Sequence, residues 1–360
     1  MANPPNNSGD SSNEEDIALP EPVVMPRGVS RAKAIGFFVL KAAITVALLS
    51  WLFSRSEQLN AQNNPFLKPG DLDMPWLAAG VGVCGLYLVF WTFRWMIFLH
   101  LLDLKIGFHR AFQLTIVGHF LSMASFGGLA ADGLKAVYLI RRFPDKKGKV
   151  AIAIFADHLS GLAAVGIAFA LLTWTRFDDI TGGDSPVSVW SLYVASGLWI
   201  VTMLGLVLTV GMAHPTIMSR YGSKLGFLQR NEALRNFVSA WDVFRRQWRS
   251  ALLACGVGFP MLLSYYLVFF AAARAANVDV SAIDLLGAMP VIDTLTALPV
   301  TIAGLGLRET LMESLLGVMA GVSFEDSVRL SLTGFGILVI WGVLGATAFP
   351  FLRLKKKTDS

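Results

Sequence analysis

The chain has 360 residues, of which 54% are hydrophobic and only 15% charged, with a formal net charge of +5. Soluble domains carry about 25% charged residues, and here the missing charge is concentrated in long apolar runs. That pattern excludes an ordinary soluble enzyme or nucleic-acid-binding module and indicates an all-α integral membrane protein.

Residues 1–30 are polar, acidic and rich in Pro, Asn and Ser. They read as a disordered cytoplasmic tail without a signal peptide. A transmembrane domain follows over 31–352, and 353–360 form a basic cytoplasmic tail. A helix of roughly 20 apolar residues crosses the bilayer hydrocarbon. Six runs are long enough to cross fully, at about 33–53, 76–101, 149–174, 189–212, 250–273 and 328–351. Two other apolar stretches, 110–128 and 284–303, each end in glycines and lead at once into a second amphipathic stretch.

Positive charge marks the cytoplasmic side. Arg27, Arg31 and Lys33 precede the first span, so the N-terminus is placed inside. Lys105 and Arg110 lie before 110–128, and Lys135, Arg141, Arg142, Lys146, Lys147 and Lys149 lie after it. Both flanks are therefore cytoplasmic, and this stretch should turn back as a re-entrant hairpin from the inner face. Asp178, Asp179 and Asp184 mark an outer loop, and Arg353, Lys355, Lys356 and Lys357 place the C-terminus inside. By the same bookkeeping 284–303 is a hairpin from the outer face. The result is two halves, about 31–174 and 189–352, each with three crossings and one hairpin. An odd number of crossings inverts the second half, a recurring transporter plan. Eight plain spans with local violations of the charge rule are the alternative.

The first hairpin turns at Gly127-Gly128 and continues through Asp132 to Lys135. A helix beginning near Asp132, with Asp132 as N-cap, would aim its N–H groups and dipole at an anion such as a lipid phosphate. The second turns at Gly304 and Gly306, followed by Arg308 and Glu309. Each turn thus joins glycines to an acid–base couple. Asp157 and His158 sit about two turns into the third span. Asp157 is expected to pair with Lys135 or Arg308, because an intramembrane charge costs ~2.5–3.5 kcal/mol on insertion scales and needs a partner or a cavity. His119 is expected to hydrogen-bond between helices, and Asp293 to share a cavity with it. Arg94 and Lys41 are expected to snorkel to the inner interface. Trp51, Trp76 and Trp190 read as interface anchors, and Cys84 and Cys255 as buried structural thiols. The stretch 231–248 has the spacing of a basic interfacial helix or a partner-binding site. No phosphate-binding loop for ATP, nucleophile elbow, metal site or dinucleotide fingerprint is present, so no cofactor is expected.

At its two turns the chain resembles the transmembrane region of lysylphosphatidylglycerol synthases, a family that includes stand-alone flippase-like membrane proteins. The resemblance covers about 33–350. It is carried by Gly127-Gly128-Leu129-Ala130-Ala131-Asp132-Gly133-Leu134-Lys135 with Arg141-Arg142, and more specifically by Leu298-Pro299-Val300-Thr301-Ile302-Ala303-Gly304-Leu305-Gly306-Leu307-Arg308-Glu309. Departures are the absence of a proline before the first glycines, His158 where the family has an arginine, and Ala303 in place of a glycine. The resemblance implies movement of a phospholipid or polyprenyl-phosphate-linked lipid between leaflets of a bacterial inner membrane, without the synthase reaction. The expected binding residues are Gly127, Gly128, Asp132, Lys135, Asp157, His158, Gly304, Gly306, Arg308 and Glu309, and the expected partners an anionic lipid and the membrane, with no nucleic acid. A second copy or a lipid-modifying enzyme is a further possible partner. Alternatives are a membrane-embedded enzyme using Asp157 and His158 on a lipid phosphate, and a non-transporting scaffold.

Overall fold

The computed structural model describes residue 50 and residues 72–124, 128–212, 248–298, 300–301 and 304–352. The first span apart from Ser50, Lys41, Trp51, Gly127, most of 231–248 and both tails lie outside the described residues. The regular structure of the described residues is helical. In chain order the helices are α1 (Met74–Leu101), α2 (Phe108–Ala124), α3 (Gly128–Arg142), α4 (Lys147–Ala168), α5 (Phe177–Gly182), α6 (Pro186–Met212), α7 (Trp248–Ala275), α8 (Ala282–Thr296), α9 (Leu307–Ala320) and α10 (Phe324–Ala348).

Five helical segments among the described residues are long and apolar enough to cross a membrane: Met74–Leu101, Pro144–Gly182, Pro186–Leu204, Leu252–Ala275 and Phe324–Phe351. They coincide with the second to sixth predicted spans. The segment holding α4 runs eight residues beyond its predicted end at 174. Its register passes through a wide π turn at Phe169–Thr173 and a tight turn at Trp174–Arg176, then continues as α5. Arg176 pairs there with Asp179 at 2.9 Å and with Asp284 at 2.8 Å, so charged groups carry the helix outward past the apolar run.

Local chemistry sets the helix ends. Asp73 caps α1, its Oδ1 accepting from the Trp76 N–H at 3.2 Å, and Pro75 occupies a first-turn position where a missing N–H costs nothing. Ser281 and Ser323 cap α8 and α10 in the same way. α9 ends on Gly321, whose φ of +65° closes the helix in the left-handed region.

α1 and α7 run together through the centre, with α10 and α4 against them. Small residues permit the approach. A methyl group at Gly334 on α10 would lie 2.6 Å from the Phe269 ring, and one at Gly345 would lie 2.2 Å from the Ile116 carbonyl oxygen of α2. Close backbone contact at small residues is how helices associate where lipid removes the hydrophobic drive. The outward faces are apolar: Ile200, Val201, Leu252 and Leu253 are each about 60–70% exposed. Trp76 and Trp190 lie near helix ends with their rings exposed, as interface anchors do.

α2 packs on α3 and α8 on α9. These arms have 17, 15, 15 and 14 residues, all short of a full crossing.

Candidate functional site

The second turn is built on two glycines in left-handed backbone, Gly304 at φ +77° and Gly306 at φ +82°. A side chain at either position would be strained. Arg308 and Glu309 follow in the first turn of α9, both buried. The Glu309 carboxylate is fully committed: Oε2 accepts from the Gly306 N–H at 2.6 Å and Oε1 from the Ser331 hydroxyl at 2.5 Å. Glu309 therefore braces the turn and ties α9 to α10. Arg308 lies over the Phe269 ring of α7 at 5.4 Å. A methyl group at Gly304 would stand 3.2 Å from both Arg308 Nη2 and Thr296 Cβ, so the glycine makes room for the guanidinium.

The first turn delivers Lys135 to a different setting. Lys135 is 1% exposed, with its ammonium over the Trp95 ring at 4.6 Å and the Trp91 ring at 4.9 Å. Its Nζ stands 3.6 Å from Asp157 Oδ2. The other Asp157 oxygen accepts from Arg94 Nε at 2.8 Å. Next to Asp157 on α4, His158 Nε2 meets Asp132 Oδ2 at 2.7 Å. Two consecutive residues of α4 thus grip two residues three apart on α3, and the Asp157–Lys135 pair foreseen from the sequence is formed.

Two expectations are corrected. Arg94 does not snorkel; it is 4% exposed and paired with Asp157. Two further turns of α1 lie between Arg94 and Leu101, and glycines on both neighbouring helices open a slot for it. A methyl group at Gly161 would lie 3.1 Å from Arg94 Nη1, and one at Gly258 would lie 3.7 Å from Arg94 Cδ. Asp132 is not an N-cap, because the helix is already formed at Gly128, a full turn earlier. Leu129, Ala130 and Ala131 are good helix formers and carry the helix up to it.

The centre combines two cations, Arg94 and Lys135, with one carboxylate in contact, Asp157. Arg94 Nη1, Lys135 Nζ and Trp95 Nε1 are buried donors that meet no hydrogen-bond acceptor among the described residues. Buried donors are rarely left so. Donors in excess over acceptors, with positive charge in excess over negative, suit an anion.

The two turns are joined by rings. Trp91 stands 5.7 Å from Tyr87 on α1, Tyr87 is 5.4 Å from Tyr265 on α7, and Tyr265 is 5.5 Å from Phe269. This strip runs from the Lys135 ammonium to the Arg308 guanidinium. Tyr87, Trp91 and Tyr265 are partly exposed. The sequence reading did not single out Arg94 as a site residue and passed over these rings. The signal was there: Tyr87, Trp91, Arg94 and Trp95 fall at helical spacing on one face, as do Tyr265 and Phe269. His119 makes the expected interhelical bond, to the Leu338 carbonyl at 3.1 Å, while Asp293 sits beside the tyrosines.

The family model for the lysylphosphatidylglycerol synthase transmembrane region matches residues 38–346. The chain belongs to this family. The match takes in both glycine turns, the Arg94–Asp157–Lys135 centre and the ring strip, and marks a membrane protein of lipid-related function. No curated protein matches the chain.

Proposed function

We propose that this member of the lysylphosphatidylglycerol synthase transmembrane-region family is a flippase. On this reading it moves a phospholipid or polyprenyl-phosphate-linked lipid between the leaflets of a bacterial inner membrane, with both termini cytoplasmic. The observation that carries the reading is the buried cation centre: Arg94 and Lys135 share one carboxylate, and three donors there face no acceptor. A lipid phosphate supplies the acceptors. The short arms α2–α3 and α8–α9 are taken as re-entrant hairpins of an inverted repeat, bringing one turn from each face. A turn at that depth persists only where protein or water satisfies its backbone, as Glu309 does for Gly306.

In this scheme the headgroup docks at Lys135 and Arg308 and the acyl or prenyl tails stay in the bilayer. The ring strip lines the way between the two cations, while the halves rock about it. The lipid leaves chemically unchanged. The Asp132–His158 pair is the feature that favours the competing enzyme reading, since a histidine oriented by a carboxylate is a usual acid–base device.

One experiment separates the readings. Purified protein in vesicles is given labelled phosphatidylglycerol or polyprenyl phosphate, and both leaflet position and lipid mass are read. Relocation at constant mass supports the flippase. A mass change supports an enzyme, and neither effect supports a scaffold.

A further inference from the structure

Within the bundle each carboxylate is accounted for except one. Asp157 holds Arg94 and Lys135, Asp132 holds His158, and Glu309 holds Gly306 and Ser331. The carboxylate of Asp293 has no hydrogen bond or ion pair to any described residue. It lies in the last turn of α8, one turn after Pro290, and is partly exposed. Pro290 has no N–H for the carbonyl one turn back, which leaves the helix locally easier to bend. Thr294 and Thr296, which flank Asp293, turn their hydroxyls to backbone carbonyls of their own helix and not to the carboxylate.

The groups facing Asp293 come from three other helices. They are Tyr87 on α1, Tyr265 and Tyr266 on α7, and Arg308 on α9, all in electrostatic reach of its carboxylate. Arg308 is shared with Phe269, and its donor Nη1 is buried away from any printed acceptor contact with Asp293. From the α4–α5 side, Arg176 is committed to Asp179 and Asp284 near the other end of α8. From α6, Trp199 donates to Thr294 at 2.9 Å and brings no charge. A carboxylate so placed bears an uncompensated charge beside the ring strip, where charge is costly. A small cation that comes and goes removes that cost.

We propose that Asp293 is the proton-carrying group that couples lipid movement to a transmembrane proton gradient. The inference rests on the flippase reading and names its driving force. The carboxylate accepts one proton from one aqueous side, is neutral while the bundle changes its opening, and releases that proton to the other side. No other bond changes. When a lipid phosphate approaches Arg308, the neutral form of Asp293 leaves the guanidinium to the phosphate. The ionised form competes for it after release. Proton binding and lipid binding are thereby linked through one arginine.

The test uses the full chain in proteoliposomes loaded with a pH-sensitive dye and labelled phosphatidylglycerol, with proton and sodium gradients imposed separately. Wild type is expected to move lipid at least several-fold faster under a pH gradient than without one, and to carry protons as it does so. Asp293→Asn is expected to lose both the acceleration and the proton signal. Gradient-indifferent wild-type transport, acceleration by sodium alone, or an Asp293→Asn variant that still responds to pH would each overturn the proposal. Should wild type move no lipid, the flippase reading fails separately. Infrared titration of the purified protein then decides whether Asp293 exchanges protons. A carboxylic-acid band that appears and disappears with pH in wild type and is absent from Asp293→Asn supports the proton site, and its absence from both overturns it.

Discussion

Asp157 and Lys135 are in contact, yet their replacement should have opposite consequences. Asp157→Asn removes the one negative charge shared by Arg94 and Lys135, leaving two buried cations. Removing one partner of a buried pair costs about 3–5 kcal/mol, and here the bond lost is a 2.8 Å charge-assisted contact from a side chain 5% exposed. Lys135→Met is different. The lysine is 3.6 Å from the carboxylate, outside hydrogen-bond range, and Arg94 continues to neutralise Asp157 once it is gone. The methionine fills the space between Trp91 and Trp95, and what is lost is mainly the two cation–π contacts, of order 1 kcal/mol. Unfolding free energies by denaturant titration in mixed micelles should therefore fall by about 3–5 kcal/mol for Asp157→Asn and by about 1 kcal/mol or less for Lys135→Met. Lipid transport should be lost in both. A cost below about 1 kcal/mol for Asp157→Asn would show a solvated pair and refute the buried cation centre.

Other substitutions probe the remaining parts. Glu309→Ala strands the Gly306 N–H and the Ser331 hydroxyl, at about 1–3 kcal/mol for each orphaned group, and should lower the amount of folded protein recovered from membranes. Gly304→Ala places a side chain at φ +77° and 3.2 Å from Arg308 Nη2; transport should fall with little loss of abundance. Gly161→Leu should expel Arg94 from its slot and reproduce the destabilisation of Asp157→Asn. Combining the two should add much less than the sum, because both break one contact. His158→Ala removes a pair whose histidine side chain is 56% exposed. Stability should change by less than about 1 kcal/mol, and transport should persist unless His158 does chemistry.

Much of the fold was legible because each apolar run is its own record of a crossing. The second to sixth spans stand within a few residues of their predicted positions, apart from the charged extension of the third through Arg176 to Gly182. The second turn was readable down to Arg308 and Glu309, since two glycines before a charged couple leave few backbone solutions. The first was read one turn out of place: Asp132 is a common capping residue, but Gly128 to Ala131 are compatible with helix and the cap lies earlier. Arg94 was misread for a different reason. Distance from a span end suggests snorkelling, whereas its fate is decided by Gly161 and Gly258 on two other helices, 67 and 164 residues away in sequence. The ring strip likewise depends on α1 and α7 lying side by side, which no local pattern specifies.

The most direct test of the account is leaflet exchange of labelled phosphatidylglycerol and polyprenyl phosphate in proteoliposomes, comparing wild type with the Lys135→Ala/Arg308→Ala double variant at matched reconstitution. The account predicts exchange by wild type and only the protein-free background in the variant, with both proteins inserted and folded alike. Equal exchange by the two would contradict it, and would make the charged turns part of the scaffold instead of the path.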